Sequence, residues 1–187
     1  MTSIDAREAA QALSDISDIV RRVRQSRTYD VASQMIILWG VLVLAGNLAN
    51  YIWPRQAGFI WLGVNLLGVV GSVAIAFNFA RRKGGQRVGV RILVAFVMIF
   101  AFGILCTCVL GHFGPREMAT FWPIYSMLFY CIAGLWFGYA FLALGLGISA
   151  LVLTGYLFIT GDAFLLWMAA VNGGGLILSG LWMRWGE

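Results

Sequence analysis

The sequence predicts an all-α integral membrane protein, a six-transmembrane-helix bundle preceded by a cytoplasmic amphipathic helix. Three observations predict it. Of the 187 residues, 61% are apolar or aromatic and only 11% are charged, against roughly 25% charged in an ordinary soluble domain. Too little polar surface remains to cover a soluble core, and the mean hydropathy of +0.86 agrees. The charges also cluster, leaving long runs without Asp, Glu, Lys or Arg. Those runs do not alternate in polarity, so they read as helices rather than barrel strands. This composition excludes disordered, collagenous, coiled-coil and disulfide-scaffold classes.

The charge-free runs set the spans. They hold 24 residues from Asp30 to Arg55, 25 from Arg55 to Arg81 and 24 from Arg91 to Arg116. A further 44 lie between Glu117 and Asp162, and 21 between Asp162 and Arg184. About 20 residues of helix cross a hydrocarbon core, so four runs fit one crossing each. The longest would measure about 66 Å as one helix and must fold back. Gly145 and Gly147 are the expected place for that reversal. The expected spans are 31–53, 57–80, 92–112, 121–143, 144–160 and 163–185, with residues 29–187 as the transmembrane domain.

Residues 1–28 precede them as a cytoplasmic amphipathic helix. Ala9, Leu13, Ile16, Val20 and Val23 recur at three- and four-residue spacing. Acids fill the first half and arginines the second, which suits the helix dipole. The four acids Asp5, Glu8, Asp15 and Asp18 also exclude a secretory signal peptide. Such a helix either lies on the membrane surface or docks on a protein partner or a second copy. Leu13, Ile16, Val20, Val23, Arg21, Arg22 and Arg24 are its candidate contacts to partner or lipid.

Short signals mark the remaining elements. The loop 81–91 carries Gly84 and Gly85, and the outer loop 114–120 carries Pro115, Arg116 and Glu117. Pro123 is expected in the first turn of the fourth span, where its missing N–H is harmless. Asp162 is a candidate N-cap for the sixth. Trp53, Trp61, Trp122, Trp182 and Trp185 fall near span ends, as an aromatic belt does. Spans two, four and six share an aromatic start and later glycine, which suggests three stacked helical hairpins.

Lys and Arg orient the chain. All but Arg55 and Arg116 fall in the N-terminal segment, the second loop and the C-terminus. The positive-inside rule then places both termini in the cytoplasm. Short loops and this bias suit a bacterial cell inner membrane. The pI near 9.5 reflects topology and the lipid bilayer as partner. No folded basic module points to nucleic acid.

Chemistry-bearing groups are sparse. No formal charge falls inside the predicted hydrocarbon zone, so proton relays and voltage sensors lack their ionisable groups. The one histidine, His112, sits at the outer end of span three with only Glu117 and Asp162 as metal-ligand neighbours, too thin a set for zinc. Ser149 has no histidine in a later span to activate it. Cys106 and Cys108 point about 200° apart on a helix and cannot bridge, so these and Cys131 read as packing residues. The expected cofactor set is none.

Two patterns remain. Small residues at four-residue spacing mark candidate helix-packing faces: Gly68 and Ser72, Gly134 and Gly138, Ala170 and Gly174, and Gly175 and Ser179. Asn65 and Asn172 each lie nine residues into a span from the outer face, and Tyr130 and Thr154 count to the same depth. Buried amides need partners, so these four either bond one another or line a pocket for a neutral or zwitterionic molecule. Tyr125, Trp136 and Tyr139 would be its aromatic walls. The expected function is non-enzymatic: an accessory, regulatory or scaffolding membrane subunit. The alternative is a small carrier or substrate-binding subunit.

Overall fold

Nothing in residues 6–39 stops a helix, since this stretch contains neither proline nor glycine. In the computed structural model one helix, α1 (Ala6–Ile52), runs for 47 residues, about 70 Å at 1.5 Å per residue. The N-terminal segment and the first span are thus one rod. The structure describes residues 6–82, 90–110 and 112–185. The side chains of Ala80, Arg82, 90–96, Leu110 and most residues before Tyr29 are outside that description.

Proline ends α1. Pro54 forces Trp53 out of the helical region, to φ −125° and ψ 67°. A single 3₁₀ turn, Pro54–Gln56, leads into α2 (Ala57–Arg82). The glycines expected in the next loop, Gly84 and Gly85, lie outside the described residues. Then follow α3 (Val90–Leu110), α4 (Pro115–Phe137) and α5 (Tyr139–Phe158). The last rod is α6 (Ala163–Met168), a π-helical segment Ala169–Gly174 and α7 (Gly175–Trp185). Every regular element among the described residues is helical.

Two boundaries and one cap differ from the sequence reading. The long charge-free run reverses at Gly138, not at Gly145 and Gly147, which lie inside α5. Gly138 has φ 129° and ψ 163°, a conformation essentially reserved for glycine. α4 starts at Pro115, so Pro123 lies inside the helix and buried rather than in its first turn. The charged Arg116 and Glu117 belong to that first turn instead. Asp162 precedes α6 but makes no side-chain capping bond.

Glycines set the packing. A Cβ on Gly40 would fall 2.8 Å from Ile177 N, and one on Gly173 would fall 2.5 Å from Leu44 Cβ. Gly180 meets Ile37 in the same antiparallel register. α1 and the last rod therefore approach backbone to backbone. On its other flank α1 packs on α2 through Gly46 against Val64 and Gly71 against Leu38. Gly155 of α5 receives the Trp167 indole, and Gly145 of α5 sits on Met127 and Cys131 of α4. α3 packs on α4, where Gly103 meets the rings of Trp122 and Tyr125. The lateral order is α2, α1, last rod, α5, α4, α3. The core lies in its middle, around Ile36, Met127, Phe141, Val152 and Met168.

The outside is apolar. Phe59, Leu135, Trp136, Phe158 and Leu178 are among the large side chains left exposed, a surface that water would not tolerate. Among the described residues, five helical stretches are long and apolar enough to cross a bilayer: Tyr29–Ile52, Pro54–Phe79, Pro115–Phe137, Tyr139–Phe158 and Ala163–Trp185. In α3, where the side chains of 90–96 and Leu110 lie outside the described ones, the described apolar stretch is Val97–Val109. The architecture is compatible with a multi-pass membrane helical bundle.

Candidate functional site

The buried face of α1 reads Ser33, Ile36, Gly40, Val43, Asn47, alternating steps of three and four residues as one side of a helix must. Asn47 is therefore carried into the bundle, only 3% exposed, and its Nδ2 donates to Val43 O at 2.9 Å. The turn of α1 around it meets the sequence neighbours of two other asparagines. Gly46 touches Val64, next to Asn65, and Leu44 touches Gly173, next to Asn172. Asn65 and Asn172 thus stand beside one turn of α1, on its opposite flanks.

Their bonding differs. Asn65 Nδ2 donates at 2.7 Å to Trp61 O on its own helix. Asn172 is 5% exposed, and its Oδ1 has no hydrogen-bond partner. It sits in the π-helical segment, where i→i+5 bonding widens the helix. The Gly173-Gly174-Gly175 triplet makes that widening tolerable, since glycine resists the regular helix most among non-proline residues. What this point offers chemically is a buried amide acceptor in apolar surroundings, able to take an N–H or O–H donor.

The other two members of the expected layer lie elsewhere. Thr154 is exposed and bonds Ala150 O on its own helix at 2.9 Å. Tyr130 is half-buried against the core. Among the described hydrogen bonds, none joins two of Asn65, Tyr130, Thr154 and Asn172. Of the expected walls, Tyr125 instead ties α4 to α3 by donating to Ile99 O at 2.8 Å. Trp136 and Tyr139 face outward, 73% and 88% exposed.

The candidate packing residues divide. Gly68 makes room for the Trp39 ring, whose Nε1 donates to Ser72 Oγ at 3.1 Å, so Gly68 and Ser72 form one indole slot on α2. Gly134 lies against the Leu142 backbone and Gly138 turns the chain, so this pair makes a hairpin corner. Gly175 meets Ile148 at 3.3 Å, whereas nothing approaches Gly174 within 4 Å. Ser179 is half-buried. The side chains of Leu13, Ile16, Val20, Val23, Arg21, Arg22 and Arg24 lie outside the described ones.

Counting charges misses two features. One is Asn47, which carries no charge; the three-four spacing from Ser33 through Gly40 was its available signal. The other is Arg116, read as one of two outer cations. Its guanidinium donates to the carbonyls of Tyr156 and Ile159 and lies over the Phe164 ring at 4.7 Å. It closes the corner between α5 and α6. Cys106, Cys108 and Cys131 are free thiols. Among the described residues no group of three or more His, Cys, Asp or Glu could hold a metal ion.

The chain matches no protein-family model, no curated protein and no solved structure.

Proposed function

We propose that this chain is an accessory, regulatory or scaffolding subunit of a bacterial inner membrane, with no catalytic chemistry of its own. In this reading it crosses the bilayer six times, as three helical hairpins, with both termini in the cytoplasm. One observation carries the reading. α1 begins at Ala6, whereas the first charge-free run of the sequence opens only after Asp30. About six turns of amphipathic helix therefore continue rigidly from the first span. Such an arm presents an apolar stripe where a cytoplasmic protein domain can reach it.

The test removes residues 1–27 from a C-terminally tagged chain expressed in its native membrane. Chemical cross-linking and purification should lose the bound partner, while thermal unfolding of the remaining bundle stays unchanged. A partner retained at full yield would overturn the proposal.

A second reading is favoured by the unpartnered Oδ1 of Asn172. It makes the chain a carrier or binding subunit whose neutral or zwitterionic ligand donates a hydrogen bond there. Native mass spectrometry of the detergent-free particle should then show a small-molecule adduct that Asn172→Leu abolishes.

A further inference from the structure

We propose that Asn47 and Asn172 together form a buried site for one uncharged hydroxyl, the O–H of a membrane-soluble alcohol. The inference rests on the binding-subunit reading and narrows its ligand.

The two amides have complementary groups to spare. Asn47 Nδ2 carries two N–H donors. One goes to Val43 O at 2.9 Å, and the other has no partner among the described residues. Asn172 is the reverse: its Oδ1 is a buried acceptor without a donor. Both residues are more than nine-tenths covered, at 3% and 5% exposure. Buried polar groups left unmet are costly, so a molecule that joins them is bound tightly for its size.

Helix register brings the two to one level. Gly40 meets Ile177, Leu44 meets Gly173 and Gly180 meets Ile37. Continued along α1, this antiparallel pairing sets Asn47 across from Ala170 and Asn172 across from Ala45. The offset between the amides is then two residues, about 3 Å of rise. They also face the same side. Asn47 follows Gly40 by seven residues, which returns it to within about 20° of that contact line, on the side of Val43. Asn172 precedes Leu176 by four residues and shares its face of the last rod, and Leu176 belongs to the core. On α5, Ile148 closes this level against Gly175.

The chemistry of the pair selects the ligand. Bridging Asn47 Nδ2 and Asn172 Oδ1 takes a group that accepts from an N–H and donates to a carbonyl oxygen. A hydroxyl does both on one atom, whereas an ammonium only donates and a carboxylate only accepts. Charge is disfavoured for a second reason. Residues 31–54, 118–161 and 163–183 contain no Asp, Glu, Lys or Arg, so an ionised end would be buried without a counter-charge. That removes the zwitterion and keeps the neutral ligand. Val43, Leu44, Ile148 and Leu176 on the same turns are apolar. Such walls suit the carbon side of an alcohol, while a buried water calls for polar partners on several sides.

The test photolabels the purified chain with octanol carrying a diazirine and maps the adducts by mass spectrometry. Adducts are expected on residues 43–47 and 172–176, and unlabelled octanol should compete them away. Octylammonium, octanoate and octyl methyl ether keep the chain but change the end group, and each should compete at least about fivefold less well. Asn172→Leu and Asn47→Leu should each lower labelling at least about fivefold, the loss of one hydrogen bond, while Asn65→Leu retains it. The competition series uses the unaltered chain, so it decides even where a variant fails to fold. Equal competition by all four end groups, or labelling that Asn172→Leu leaves unchanged, would mean apolar partition alone and would overturn the proposal. If native mass spectrometry instead shows a different adduct that Asn172→Leu abolishes, the hydroxyl inference fails and the binding-subunit reading stands. No adduct by either method removes both. Where octanol does compete, competition by dioctanoylglycerol as well assigns the hydroxyl to a neutral lipid, and its failure to compete assigns it to a free alcohol.

Discussion

Arg116 reaches forty residues along the chain to donate to Tyr156 O at 2.6 Å. Its second acceptor, Ile159 O, is the C-cap residue of α5. The last carbonyls of a helix have no partner within it, and a cation is favoured at that end of the dipole. One guanidinium thus serves the end of α5 and, by stacking on Phe164, fixes the start of α6. Arg116→Ala should destabilise the purified protein by about 2 kcal/mol, the usual worth of hydrogen bonds to a charged group. Arg116→Lys should recover only part, because a point charge cannot reproduce the planar fork. Thermal unfolding followed by tryptophan fluorescence checks both; an unchanged midpoint in Arg116→Ala would refute the clamp.

Gly138 has a sharper constraint. It alone joins α4 to α5, at φ 129° and ψ 163°, where an L side chain is strained by about 1–3 kcal/mol. Gly138→Ala should destabilise by that amount. Gly147→Ala, at an open position with nothing within 4 Å, should be neutral or slightly stabilising. Parallel unfolding curves of the two variants read the difference.

These two glycines show how far the sequence could be read. Helical class and bilayer-length runs were legible because formal charge is costly in hydrocarbon and marks where helices leave it. The reversal at Gly138 was not, since it carries no charge and competes with many glycines nearby. What distinguishes it is a backbone angle, and that follows from the packing of Gly134 on Leu142. Likewise Asp30 marked the start of a span, but no breaker stood there, and the helix ran straight through. Of the two expected amides, Asn172 is buried and Asn65 half-buried. Their separation by α1, with Asn47 between, depends on which helices become neighbours, and local patterning does not encode that.

Adjacent glycines of the last rod should behave oppositely. A Cβ on Gly173 would fall 2.5–2.7 Å from Leu44 Cβ, Cα and N, whereas Gly174 has open space. Backbone cannot swing aside as a flexible side chain can, so Gly173→Ala forces α1 and the last rod apart. Overpacking of this kind costs typically about 1–3 kcal/mol. Gly174→Ala clashes with nothing and should gain up to about 1 kcal/mol in helix propensity. If both variants unfold at the same temperature, the close approach of the two helices is wrong.

Asn172 and Asn65 supply the last comparison. Asn172 buries an acceptor without a partner, while Asn65 keeps its bond to Trp61 O. An unmet buried polar group carries a desolvation penalty of about 1–3 kcal/mol. Leucine has the same number of side-chain heavy atoms and the same branching, with no polar atom to satisfy. Asn172→Leu should therefore raise the stability of the purified, ligand-free protein by about 1 kcal/mol, and Asn65→Leu should leave it nearly unchanged. The sign is what matters. A fall in the unfolding temperature for Asn172→Leu would mean that Oδ1 accepts a bond from something retained through purification, which favours the binding-subunit reading over the accessory one.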